Sequence, residues 1–436
     1  MHAPYTGVRF MMRPNGRAFK DERVTIMAFG LTKKELSWVL YDVGNSAFVM
    51  LSTALIPVYF ASIADPGSSV VVAWGYAETV ASLVLALLMP VLGSLADLAG
   101  NKKKFLVGFA GTGAVACAAL GVPEHAFAFL VVYVIAAIML NGSMVFYDAF
   151  LVDATTEERY DKVSSHGYAW GYIGSCIPFI ACLAVVLGGS SFGIDAKLGM
   201  KIAFIITAVW WVVFTVPVAK NVKQLHGKKR SDHVLRTTIS GLKGTVKSIM
   251  KDKRLLFFML AFFFYIDGVH TVIKMSTSYG TDLGIDSTQL VLALLVTQFV
   301  AFPSAIAYGN LAKRFGTKRM LKVGVLAYFF IVLFAAFFLK SAVEFWILAI
   351  CVGLFQGGIQ ALSRSEYGKL IPKERANEYY GFFDIFGKYA AVMGTFLVSA
   401  FTQLTGSSSL GVLSIALLFI VGCLFLRAMP PMLGDS

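Results

Sequence analysis

From Leu36 onward the chain alternates apolar runs of about twenty residues with short polar breaks, and this pattern decides what it can fold into. A run of that length crosses the ~30 Å hydrocarbon core of a bilayer as a helix. Inside lipid a helix satisfies its backbone polar groups within itself, which an open strand cannot do. Twelve such helices are expected, at 36–62, 70–95, 104–122, 126–151, 166–188, 199–219, 255–280, 289–311, 320–339, 343–366, 379–404 and 409–428. Hydrophobic residues make up 57% of the chain and charged residues 14%, with 37 Phe, more apolar surface than a soluble fold can bury. The expected fold class is an all-α membrane protein of twelve transmembrane helices.

The charges in the breaks give an orientation. Lys102, Lys103 and Lys104 follow helix 2, Arg159 and Lys162 follow helix 4, Lys313, Arg314, Lys318 and Arg319 follow helix 8, and Lys369, Lys373 and Arg375 follow helix 10. The opposite breaks at 64–69, 281–288 and 405–408 carry no Lys or Arg. By the positive-inside rule the basic loops and both termini are expected in the cytoplasm. The net charge of +13 is therefore a matter of topology, and nucleic acid is not an expected partner. Residues 1–35 contain seven Lys or Arg but no apolar segment with a cleavage site, so a cytoplasmic tail is expected rather than a signal peptide. The five cysteines lie within apolar runs without metal-ligand spacing, and no metal site is expected. The sequon at Asn141 falls inside helix 4 and is not read as a glycosylation site.

A repeat divides the chain. GSLADLAGNKKK at 93–104 returns as GNLAKRFGTKR at 309–319, a separation of 216 residues. In each copy a glycine ends an apolar run, a second glycine follows seven residues later, and cations come next. The expected units are a tail (1–35), a six-helix bundle (36–219), a basic linker (220–254), a second six-helix bundle (255–429) and a short tail (430–436). The linker holds eleven Lys or Arg, and Leu235, Ile239, Leu242, Val246 and Ile249 recur at helical spacing. An amphipathic helix on the inner membrane surface, attracted by anionic lipid, is expected there; a solvated linker helix is the alternative.

Two pseudo-symmetric six-helix halves around a central site are the plan of a transporter that works by alternating access. The repeated loop resembles the signature that follows helices 2 and 8 in the major facilitator superfamily. Lys313 stands where the first copy has Asp97, so the helix-end contact implied for Asp97 does not carry over to the second copy. WVLYDVGNSAF (38–48), DGVHT (267–271), GGIQALSRSEYGKLIP (357–372) and EYYGFFDIFGK (378–388) further resemble the family of fungal autophagy-related vacuolar amino-acid effluxers and their bacterial relatives. That resemblance implies export of amino acids, and the short loops suit a compact bacterial member in the cytoplasmic membrane. A monomer is the superfamily's default.

Ionisable groups inside helices are costly and should face a cavity or a partner. Asp267, His270, Thr271 and Lys274 share one face of helix 7, with Asp267 roughly 20 Å from the helix start. They read either as a substrate or proton site or as an Asp267–Lys274 ion pair that locks packing. Asp42, Asn45, Ser46, Ser52 and Thr53 form a comparable face on helix 1, with Asp42 nearer the cytoplasmic mouth, where it reads as a gate, a site or a charge that only favours the helix N-terminus. Gln356 and Gln360 on helix 10 suit hydrogen bonding of a zwitterion or a helix contact. Adding 216 to Asp148 reaches Arg364. In major facilitator proteins the ends of helices 4, 5, 10 and 11 meet, so the resemblance implies a cytoplasmic gate from Asp97, Asp148, Arg364, Asp384 and Lys388; separate snorkelling to water is the alternative. Glu78 is read as a proton relay or outer gate, and His166, opening helix 5, as an interface residue. Gly171, Gly174, Gly353, Gly357 and Gly358 permit close helix approach.

No phosphate-binding loop, HExxH or nucleophile elbow occurs, so neither an enzyme nor a cofactor is expected. The expected function is a secondary transporter exporting amino acids or related small metabolites, with protons as a possible coupling ion and membrane lipid as its surroundings. The alternatives are a carrier of a peptide, lipid or drug, and a receptor or scramblase on the same fold.

Overall fold

The computed structural model describes residues 28–64, 70–228 and 234–430. Residues 1–27, 65–69, 229–233 and 431–436 lie outside the described residues, as do the side chains of Leu235, Ile239 and Lys388. The first half contains α1 (Lys33–Ala54), α2 (Ile56–Ile63), α3 (Val70–Ala96), α4 (Lys102–Ala119), α5 (Ala126–Ala149), α6 (Leu151–Ala154), α7 (Tyr160–Gly188) and α8 (Ala196–Asn221). The linker contains α9 (Val234–Lys251). The second half contains α10 (Lys253–Asp282), α11 (Ser287–Phe315), α12 (Thr317–Phe338), α13 (Ala342–Leu370), α14 (Ala376–Thr405), α15 (Ser408–Ser414) and α16 (Ala416–Ala428).

Every expected span falls on one of these helices or helix pairs. Among the described residues nine helical spans are long and apolar enough to cross a membrane, and ten if α1 and α2, bent by 44° at Leu55, act as one. Pro57, in the first turn of α2, has no N–H to continue the ladder of α1, which accounts for the break. The remaining two expected spans are α4, whose first turn is Lys102–Lys104, and the 30-residue α14.

Local signals set the helix starts. Thr32 and Glu35 form a reciprocal capping box before α1. Asp252 accepts from the backbone N–H groups of Arg254 and Leu255, separating α9 from α10 by one residue. α7 begins six residues earlier than expected. His166 therefore does not open that helix but lies in its second turn, buried, with its ring 6.3 Å from that of Phe29.

Within the halves α1 packs on α7 and α8, α4 on α5 and α8, α10 on α14 and α16, and α11 on α13. Between the halves α7 packs on α11 and α13, and α14 packs on α3 and α5. The repeated loop explains itself at these crossings. A Cβ on Gly93 would lie 2.6 Å from the Asn377 carbonyl oxygen, and one on Gly309 would lie 2.6 Å from the Ser165 hydroxyl. The second glycines, Gly100 and Gly316, have φ of 83° and 87°, the left-handed turn that an L side chain strains. Each copy thus needs one glycine for its turn and one for contact with the other half.

Gly93→Ala and Gly309→Ala should each weaken closure of the halves at this end by about 1–3 kcal/mol, the usual range for an overpacked contact. Thiol labelling of Ser94→Cys, at a buried position, should accelerate in both backgrounds. Unchanged labelling would show that the helices there have room for a methyl group.

Candidate functional site at the basic end of the bundle

Arg364 on α13 is 1% exposed and reaches across to the first half. Its Nη1 lies 2.9 Å from Asp148 Oδ1 on α5 and 3.9 Å from Asp42 Oδ2 on α1. Its Nε donates to Ser164 Oγ and its Nη2 to the Ser164 carbonyl, both at 2.9 Å. Three aromatic rings face the guanidinium, with centroids at 4.7 Å for Trp38, 5.2 Å for Tyr147 and 4.3 Å for Tyr168. Asp148 and Arg364 are 216 residues apart, the spacing of the repeat. Residues that are counterparts under a two-fold and also touch must straddle its axis. The pair is therefore the point about which the halves are joined.

Asp42 belongs to this cluster. It accepts from Asn45 Nδ2 and Ser46 Oγ at 3.4 Å and from the Tyr147 hydroxyl at 3.3 Å. The buried Asn45 Oδ1 has no partner in the structure. Asp384 on α14 is partly exposed and adds a negative charge within electrostatic reach of Asp148. The side chain of Lys388 lies outside the described residues.

Two further contacts flank the axis. Asp97 caps α14: its Oδ1 accepts from the backbone and side-chain nitrogens of Asn377 at 2.9 and 2.8 Å, and its Oδ2 from Glu378 N at 3.1 Å. A carboxylate at a helix N-terminus meets both free N–H groups and the positive end of the dipole. Lys313 occupies the equivalent place in the second copy, and the carboxylate there comes from the other half. Asp161 on α7 receives the Lys369 ammonium at 2.8 Å, the Thr317 hydroxyl at 2.7 Å and the Ser365 hydroxyl. Sequence reasoning missed Asp161, although adding 216 to it reaches Asn377. It also missed Trp38, Tyr147 and Tyr168, which look like ordinary core aromatics in the sequence.

The polar face of α10 stands apart from this cluster. Asp267 is fully buried; its Oδ1 accepts from Gly394 N at 2.9 Å and from the Thr271 hydroxyl at 3.3 Å. Its Oδ2 has no hydrogen-bond partner among the described residues. Among the described residues no close ion pair joins Asp267 to Lys274, which is exposed but within electrostatic reach of it. His270 is half-buried on the same face. Between the two sites Gln356 and Gln360 meet the Tyr172 hydroxyl of the first half at 3.5 and 3.2 Å. Gln356 also borders an apolar pocket within the second half, toward the opposite end, walled by Val272, Tyr279, Leu348 and Val352 among others. Glu78, exposed on α3, accepts the Tyr133 hydroxyl and takes no part in either cluster.

Asp97 lies in the turn beyond α3, and its burial is the main influence on its proton affinity. Burial pushes its carboxyl up to about 6, opposed by the charges of Lys102 and Lys228 and by the Asn377 hydrogen bonds. Opening this end would return the group to water and to the ordinary value near 4. The closed arrangement therefore binds the proton more tightly: it gains stability as pH falls through 6 and loses that gain as pH rises above 6. Between pH 7 and pH 5 thiol labelling of Ser94→Cys should slow about tenfold through this group, ~1.4 kcal/mol. Asp97→Asn should remove that part of the pH dependence; an identical profile in the variant would contradict the assignment.

Residues 67–432 match the family described as vacuole effluxer Atg22 like. An uncharacterized MFS-type transporter of Bacillus subtilis, YxiO, is 45% identical over 408 residues, covering 92% of this chain and 95% of that protein. Autophagy-related protein 22 of Cryptococcus neoformans is 26% identical over 283 residues, covering 60% of this chain and 48% of the fungal one, so the chain spans about half of that relative's length. Among solved structures, the major facilitator transporter FucP in its outward conformation superposes with a TM-score of 0.70 at 14% identity, over 92% of this chain and 99% of that one, a likeness of fold alone. The chain is thus an integral membrane protein with the major facilitator fold, and it belongs to the Atg22-like family of that superfamily.

Proposed function

We propose that this protein exports amino acids or closely related small metabolites from a bacterial cytoplasm by alternating access of its two six-helix halves. The basic loops and both termini face the cytoplasm in this reading, and the halves, 36–219 and 255–429, rock about a site between them. The observation that carries it is the buried Arg364–Asp148 pair on the pseudo-two-fold axis, together with the flanking Asp97 and Asp161 contacts. Side-chain contacts that hold two halves together at one end are what a rocking carrier separates in its other state. The family's description as a vacuole effluxer supports a transport role; efflux from a vacuole runs toward the cytoplasm, so the outward direction is this proposal's own.

Arg364, Asp148, Asp97 and Asp161 form the cytoplasmic gate in this proposal, with Asp384 beside them. Asn45, Gln356 and Gln360 supply neutral hydrogen-bonding groups between the halves. Asp267 is the proton-carrying group: it is buried, one of its oxygens lacks a partner among the described residues, and a proton added there removes a costly buried charge. Asp42 is the other carboxylate able to serve, although its neighbour Arg364 already offsets its charge. The apolar wall of the cavity beside Gln356 favours a second reading, a solute with a larger greasy body such as a peptide, lipid or drug.

Transport by the full chain in proteoliposomes tests both parts. Labelled amino acids should exchange by counterflow, and an imposed pH gradient should drive net movement. Asp267→Asn should abolish the gradient-driven component while leaving thermal stability and counterflow within about twofold of the parent. Unaltered gradient dependence in the variant would remove Asp267 from coupling, and absence of counterflow for the whole panel would overturn the transport reading.

A further inference from the structure

The surroundings of Arg364 are an aromatic and acidic box built by one half of the molecule around a cation supplied by the other. Trp38 and Asp42 come from α1, Tyr147 and Asp148 from α5, and Ser164 and Tyr168 from α7. These are first-half helices; the guest comes from α13.

The Trp38, Tyr147 and Asp42 walls hold one another without the guest, whereas Asp148 is bonded to Arg364 and Ser164 Oγ also donates to the Ala361 carbonyl of α13. Trp38 Nε1 donates to the Tyr147 carbonyl at 2.9 Å, and the two rings stack at 4.3 Å and 15°. The Tyr147 hydroxyl donates to Asp42, and the Tyr41 hydroxyl donates to Ser143 at 2.6 Å beside it. Withdrawing α13 would leave the stacked Trp38 and Tyr147 rings with Asp42 in place, and would free Asp148 and the Ser164 oxygens to take another donor. Aromatic faces and carboxylates attract ammonium and guanidinium groups alike. An emptied box would also hold two negative charges in a low-dielectric site, a costly condition that a cation relieves. Asp384 contributes further negative potential from α14 when the halves are together.

We propose that the box is the loading site for a cationic group on the solute, an ammonium or guanidinium, and that Arg364 is its built-in competitor. This inference rests on the transport reading above and names the chemical class that the site selects. With the cytoplasmic end open, Arg364 is withdrawn with α13 and the solute's cation occupies the box. Closure returns Arg364 to the same place, so the solute's cation must leave toward the other side. Competition between a tethered cation and a free one gives outward release a physical cause.

The test is equilibrium binding of methylguanidinium, tetramethylammonium and agmatine to the full-length purified protein, with acetate as the anionic control. Removing the competitor in Arg364→Ala should tighten binding of all three cations at least tenfold over the parent. The gain should vanish when Trp38→Leu or Asp148→Asn is added to that variant. Arg364→Gln, which keeps a hydrogen-bonding group beside Ser164, should show the same direction should the alanine variant not fold. Rescue by methylguanidinium alone would mean that a small cavity is being refilled, and would overturn the proposal. Tighter binding of acetate in the parent, lost on changing Arg364, would make the arginine an anion receptor and overturn it as well. If labelled amino acids exchange in liposomes but neither variant gains affinity for a cation, the box proposal fails and the transport reading stands. If the variants gain affinity while nothing exchanges, the transport reading fails and the cation site stands.

Discussion

A guanidinium with almost no solvent exposure at the crossing of two helix bundles is the constraint on which the closed arrangement depends. Burying such a charge is expensive, and removing one partner of a buried pair typically costs about 3–5 kcal/mol. Arg364 is tolerated because nearly everything it faces compensates it: Asp148, Asp42, two Ser164 oxygens and three aromatic rings. All of these belong to the first half, whereas Arg364 belongs to the second. Its satisfaction is therefore a property of the closed state, and the same groups are left uncompensated whenever the halves part. A lock made this way can favour one state by a few kcal/mol without making the other inaccessible.

The flanking contacts show how a duplicated architecture keeps its mechanics while its chemistry diverges. Both copies of the loop retain the close-approach glycine and the left-handed glycine. Only the first retains a carboxylate, Asp97, to cap the facing helix. In the second the carboxylate is Asp161, on the facing helix, and Thr317, Ser365 and Lys369 converge on it. The sign of the interaction is conserved and its donor has changed sides. Loss of the acidic residue at Lys313 is thereby accommodated without loss of closure.

Much of the fold was readable because lipid leaves few alternatives. Run length marks the helices, and the 216-residue repeat of the glycine loop pairs Asp148 with Arg364 from the sequence alone. What escaped was information that only packing supplies. Trp38, Tyr147 and Tyr168 are three aromatics in a chain with 14% aromatic residues, and nothing in their spacing distinguishes a cation box from a core. The early start of α7 was hidden because Tyr160–Ser165 is polar, and a polar helix end beyond the hydrocarbon leaves no trace in hydropathy. Helical spacing did place Asp267, His270, Thr271 and Lys274 on one face. It could not show that Asp267 would be buried against Gly394 while Lys274 stays exposed.

The linker is expected at the membrane surface, or in solvent as the alternative, and its described contacts include the crossing of the two halves at Asp97 and Glu378. Gln224 accepts from the backbone N–H groups of Gly100 and Lys102, and Lys228 exchanges backbone hydrogen bonds with Asp97 and Ala99. Lys228 Nζ then lies 2.6 Å from Glu378 at the start of α14, and buried Thr245 of α9 donates to the same carboxylate. Of the apolar face of α9, Ile249 is buried whereas Val246 and Met250 are exposed beside Lys243, Lys247 and Lys251. One side of the helix is thus committed to the protein, and the basic side remains for solvent or lipid. The tether between the halves also touches both faces of the contact it spans, Asp97 on one and Glu378 on the other. Parting the halves at this end therefore requires the linker to exchange partners too, which makes it part of the closed state and more than a length of chain joining two bundles.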